Sequence, residues 1–128
     1  MSIKRGLLCI PAICWTSLVF YLCLLPKSQI PKVTFLDKIY FDKIVHFGFY
    51  SIMFLFYLLA LKPFRYHIAV SAMVCLFIGI TVEFLQGYLP IHRSFDIWDI
   101  VANACGLISS IMFLKSKNWT FLGVQLDQ

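Results

Sequence analysis

The sequence predicts an all-α integral membrane protein, a four-helix bundle with a polar pocket in its outward-facing half. Three observations lead there. Of the 128 residues, 61% are hydrophobic and 13% charged, against about 45–50% and about 25% in soluble domains. A chain of that length has no core large enough to hide so much apolar surface, so a bilayer must cover the remainder. Its charge-free runs approach the length of about 20 residues that a helix needs to cross about 30 Å of hydrocarbon. Finally, four of the six acids, Asp42, Glu83, Asp96 and Asp99, lie in or beside those runs. Inserting an Asp there costs about 2.5–3.5 kcal/mol.

The whole chain, residues 1–128, reads as one membrane domain. The first span covers about 6–25 and is closed by Pro26. Lys4 and Arg5 before it imitate a signal peptide, but the apolar run exceeds the about 7–15 residues of an h-region. No A-x-A-like cleavage site follows, so a retained signal-anchor helix is expected. The second span, about 44–61, is fenced by Lys43 and Lys62, with Pro63 behind it. The third, about 66–88, stops before Pro90. The fourth, about 97–114, ends at Lys115 and Lys117, with Trp119 as an interfacial anchor.

Run lengths place the acids. Ile68 to Val82 is uncharged but spans only about 23 Å at 1.5 Å per residue, too short to cross. The helix must continue through Glu83 and Gln86, which draws the carboxylate inside the membrane boundary. Ile100 to Leu114 is similarly short, so Asp99 belongs to the fourth helix.

An even number of spans puts both termini on one side. That side carries Lys4, Arg5, Lys62, Arg65, Lys115 and Lys117; the other carries Lys27, Lys32, Lys38, Lys43 and Arg93. The terminal-side cations crowd the span ends, whereas the others are spread along a loop that also holds Asp37 and Asp42. Cytoplasmic termini follow. The 27–43 loop mixes charges with Pro, Phe and Tyr and reads as a segment lying on the membrane surface. The net charge of +5 is dispersed over loops, which fits topology signals and lipid headgroups, not nucleic acid. The five cysteines lack metal-ligand spacing and read as small lipid-compatible residues.

In this topology three polar stripes share one half of the bilayer. Asp42, His46 and Tyr50 step by four along the second helix; Glu83 and Gln86 are three apart on the third. Asp96, Asp99, Asn103 and Gly106 step by three, four and three on the fourth. Residues at those spacings share a helix face. Hydrocarbon satisfies none of them, so the stripes should turn toward one another. The first helix has no such stripe and reads as an anchor. Gly48, Gly79 and Gly106 read as sites of close helix approach. His67 beside Arg65 reads as a headgroup contact at the opposite interface, and His92 as a solvated loop histidine.

The order Asp42-Lys43-x-x-His46-Phe47-x-x-Tyr50, Glu83-x-x-Gln86, Arg93-Ser94-Phe95-Asp96-x-x-Asp99-x-x-x-Asn103-x-x-Gly106 closely resembles the VanZ-like family of bacterial membrane proteins, over about 41–114. The resemblance implies a domain of the bacterial cytoplasmic membrane with these polar positions. The name-giving member is linked to low-level teicoplanin resistance; a glycopeptide-resistance role for this chain rests on family resemblance alone and does not follow from the match. The resemblance does not supply a reaction.

The residues leave several functions open. Polar side chains can serve as interhelical glue, at about 0.6 kcal/mol per contact, which suffices for Gln86, Asn103 and Ser94. Four acids with a histidine and an arginine ask for more. One reading is an envelope enzyme processing a lipid-linked headgroup. Carboxylates held close in low dielectric cannot ionise alike, which yields an acid–base pair among the catalytic candidates Asp42, Glu83 and Asp99. His46 would shuttle protons with Asp42 orienting it. Arg93 would take a phosphate or carboxylate bidentately, with Asp96, Tyr50, Gln86 and Asn103 completing the binding surface. Tyr50 serves equally as a packing residue. A divalent metal on Asp42, His46, Glu83, Asp96 and Asp99 is a further alternative. No H-E-x-x-H or similar signature accompanies them, so no cofactor is expected. The other reading is a non-catalytic module that binds lipid or antibiotic, or a small transporter; four helices without an internal repeat would then need an oligomer. The expected partners are membrane lipids, including lipid-linked envelope intermediates.

Overall fold

The computed structural model describes residues 3–30, 40–62 and 64–116, with side chains from residue 6 onward. The described residues form helices and no strand: α1 (Ile3–Cys23), a 3-10 turn (Lys27–Gln29), α2 (Phe41–Leu61), α3 (His67–Tyr88) and α4 (Ile97–Ser116). Each of the four α-helices is long and apolar enough to cross a membrane. The expected all-α four-helix membrane bundle is thus the observed architecture. Trp119, Lys117 and most of the expected surface segment between Lys27 and Lys43 lie outside the described residues.

Helix ends follow local chemistry. Pro26 disfavours helical geometry at Leu25, and α1 stops at Cys23. Pro90 does the same to Leu89, which is extended at ψ 146° and ends α3. α2 begins at Phe41, three residues before the expected start, behind a left-handed Tyr40 at φ 51°. That early start winds Asp42 and Lys43 into the first turn, where Asp42 complements the positive helix end. α4 is capped by Asp96, whose Oδ1 accepts from the Trp98 N–H at 2.9 Å. Lys115 sits in its last turn, the favourable end for a cation.

The helices bury their small and polar faces. α3 turns Ser71, Cys75, Gly79, Glu83 and Gln86 inward, whereas Phe77 and Phe84 stay exposed. α4 buries Asp99, Asn103, Gly106 and Ser110 and exposes Trp98 and Met112. This inverts the soluble pattern and suits a bundle whose solvent is lipid. α2 is the central element, packing against all three others and most extensively against α4. Its buried face runs His46, Tyr50, Met53, Phe54, Leu58. α1 meets it through Trp15, whose Nε1 donates to the Phe49 carbonyl at 2.9 Å, and through Thr16 hydroxyl to Tyr57 hydroxyl at 3.1 Å.

Two glycines explain how closely the helices approach. A Cβ on Gly106 would overlap the Phe47 carbonyl of α2, and Ser51 Oγ donates to the Gly106 carbonyl at 3.1 Å. A Cβ on Gly79 would stand 3.0 Å from Asn103 Nδ2 and 3.2 Å from the Tyr50 ring. Gly48, by contrast, has no atom within 4 Å of where its Cβ would lie, so it is not a packing site. His67 is buried, not a headgroup contact, and its Nδ1 pairs with the Phe64 carbonyl at 3.0 Å.

Candidate functional site

The start of α2, the end of α3 and the start of α4 converge, and the three polar stripes meet. His46, Tyr50, Glu83, Gln86, Asp99 and Asn103 are all buried. Asp42 and Asp96 are more exposed and lie at the edge, and Arg93 is half-buried in the loop before α4.

The hub of the cluster is Lys43. Its ammonium lies 2.8 Å from Asp42 Oδ2, 2.5 Å from Asp96 Oδ2 and 2.5 Å from Asp99 Oδ1. By sequence alone Lys43 reads as a topology cation at a span boundary. A signal was available: Lys43 is three residues before His46, hence on the same helix face. It was hidden because α2 begins earlier than the apolar run.

Asp96 ties three elements together. Its carboxylate caps α4 and accepts from Lys43, while its backbone N–H donates to Glu83 Oε2 at 3.2 Å. The Lys43 ammonium and the Trp98 N–H hold its carboxyl below the usual aspartate range.

Deeper in, His46 Nδ1 stands 3.2 Å from Asn103 Oδ1 and 4.0 Å from Glu83 Oε1. Its Nε2 is 3.8 Å from Asp99 Oδ2. The nearest acids to His46 are therefore Asp99 and Glu83, while the ion pair of Asp42 is with Lys43. Gln86 Nε2 donates to the Cys23 carbonyl at 2.7 Å. That bond brings the end of α1 to the cluster through its backbone, a role invisible to side-chain periodicity. The Lys27 N–H donates to the Ile91 carbonyl at 3.1 Å and joins the same end of the bundle.

Five buried polar atoms have no hydrogen-bond partner among the described residues: Tyr50 Oη, Glu83 Oε1 and Asn103 Nδ2 at the cluster, and His67 Nε2 and Ser71 Oγ toward the start of α3. Buried polar groups are nearly always paired. Arg93 is close enough to interact electrostatically with His46 and Glu83, yet its guanidinium makes no ion pair or hydrogen bond among the described residues. Chemically, the arrangement combines carboxylates and an imidazole within proton-transfer range of one small rearrangement, beside a cation at the edge. Among the described residues two groups have metal-ligand proximity, His46–Glu83–Asp99 and Asp42–Asp96–Asp99, each with donor atoms within 4.8 Å of one another. The second is already occupied by the Lys43 ammonium.

Comparison with known proteins gives one family, described as VanZ/LLP1, matching residues 8–119. No curated protein and no solved structure matches the chain.

Proposed function

The chain belongs to the VanZ/LLP1 family, and from that premise we propose that it acts at the bacterial cell envelope on a lipid-linked, phosphate- or carboxylate-bearing headgroup. The cluster is the pocket for that headgroup, in the half of the bundle that faces outward while the termini face the cytoplasm. What carries the reading is the set of buried polar atoms Tyr50 Oη, Glu83 Oε1 and Asn103 Nδ2, which have no partner among the described residues, beside an Arg93 without an ion pair among those residues. Groups desolvated in this way are costly until something satisfies them, and a polar headgroup brings donors and acceptors of both kinds.

In this reading Arg93 holds the anion, since its planar fork suits phosphate and carboxylate. Tyr50, Gln86, Asp96 and Asn103 shape and orient the pocket. His46 moves a proton between the headgroup and the neighbouring carboxylates of Glu83 and Asp99, with Asp42 acting through Lys43 at the edge. A second reading, a structural scaffold, is favoured by the Lys43 hub, which satisfies Asp42, Asp96 and Asp99 and clamps α2 to α4 without any ligand.

Binding of a polyprenyl phosphate to the purified full chain in detergent separates the two. Arg93→Gln should weaken binding about tenfold to a hundredfold, the value of one lost charge-assisted bond of about 1.5–3 kcal/mol, with an unchanged melting temperature. Equal affinity of wild type and Arg93→Gln would refute the headgroup reading and leave the scaffold. Lipid analysis of material co-purifying with wild type and Asp99→Asn would identify the headgroup class, and Glu83→Gln that binds without converting it would mark catalysis.

A further inference from the structure

We propose that His46, Glu83 and Asp99 form a site for one divalent cation, of the manganese or zinc type. The sequence offers no local ligand signature; the tertiary structure supplies the site from three helices. One donor atom from each residue lies within 4.8 Å of the others, and all three residues are buried. Donors around such an ion at about 2.0–2.2 Å stand about 3 Å apart. The observed 3.8 Å from His46 Nε2 to Asp99 Oδ2 needs only a small contraction; the 4.0 Å to Glu83 Oε1 is measured from Nδ1, so Glu83 must turn that oxygen toward the Nε2 side.

The outer contacts of the three residues are those that a metal site uses. Asn103 Oδ1 accepts from His46 Nδ1, which fixes the tautomer and leaves Nε2 with its lone pair toward Asp99. Lys43 holds Asp99 by Oδ1 and leaves Oδ2 facing the histidine. The Asp96 N–H holds Glu83 by Oε2, and Oε1 is fully buried with no hydrogen-bond partner among the described residues. Each ligand thus has one atom anchored and one atom left for an ion.

Charge points the same way. Four carboxylates, Asp42, Glu83, Asp96 and Asp99, face two cations, Lys43 and Arg93, so the ionised cluster with neutral His46 carries two excess negative charges. A divalent cation cancels that excess in a medium where unpaired charge is expensive. One imidazole with two carboxylates suits manganese or zinc better than copper(I). The inference deepens the headgroup reading and rests on it for the ion's task, which would be to polarise a phosphate oxygen held by Arg93.

The test uses full-length protein in detergent, stripped with EDTA, with manganese as the probe and no added lipid. Electron paramagnetic resonance should show one Mn²⁺ bound per chain, and spin-echo modulation should report an imidazole ¹⁴N. Glu83→Gln should weaken binding at least tenfold, and Asn103→Ala about tenfold to a hundredfold through loss of the histidine's support. Folded wild type that leaves Mn²⁺ free, or binds it without ¹⁴N coupling, would overturn the proposal whatever the variants do. Because no lipid is present, that failure would leave the headgroup reading intact. Equal polyprenyl phosphate affinity of wild type and Arg93→Gln, the failure of the headgroup reading, would likewise leave the metal site intact.

Discussion

Among single residues, Lys43 and Asp96 divide the acids into two kinds. Asp42 and Asp96 are engaged from outside by Lys43, and Asp96 also caps α4. Asp99 and Glu83 are buried and present a second oxygen to His46. The depressed carboxyl of Asp96 carries a stability consequence of definite sign. A group held below its unfolded pKa contributes stability above that unfolded value, about 3.9 for aspartate, and loses it as pH falls through the folded value. Melting of wild type and Asp96→Asn in detergent from pH 7 down to pH 3 should therefore show wild type more stable at neutral pH. The gap should close as pH falls below about 4. A gap independent of pH would mean that the amide loses the cap and not the charge. Residue types in the sequence disclosed which positions matter, but not that Lys43 is the hub, because its role depends on where α2 begins.

At the level of elements, the bundle is held by close approach of small residues. α2 and α4 touch where Gly106 meets the Phe47 carbonyl and Ser51, and Ser110 Oγ reaches the Ser51 carbonyl at 3.4 Å. Gly106→Ala must push backbone, not a flexible side chain. It should destabilise the bundle by about 1–3 kcal/mol, the usual cost of overpacking, read as a lowered melting temperature. Gly48→Ala is the control, since its Cβ would meet open space, and it should leave the melting temperature unchanged. Both glycines look alike in sequence. Periodicity puts Gly106 on the Asp99–Asn103 stripe, whereas Gly48 lies off the His46–Tyr50 stripe, and that difference separates them.

For the whole molecule, the four helices gather their polar groups at one end and leave large apolar side chains on the outside. In the proposed orientation, with cytoplasmic termini, that end faces outward. Ser28 and Ser116 are both exposed and lie toward opposite ends of the bundle. In intact cells, Ser28→Cys should react with an impermeant thiol reagent and Ser116→Cys should not, against a background in which the native cysteines are replaced. External reactivity at position 116 would reverse the orientation and turn the cluster toward the cytoplasm.

The four spans and their polar faces were determined by the sequence itself, because apolar run length and a step of three or four residues are local properties of a helix. The same periodicity singles out Asp42, His46, Tyr50, Glu83, Gln86, Asp99 and Asn103 from spacing alone. The tertiary structure alone decided which of them touch. Helix rotation and crossing set whether His46 faces Asp99 or Asp42, whether Lys43 pairs with one acid or three, and that the Cys23 carbonyl reaches Gln86. Those are distances between helices, and no spacing along one helix contains them.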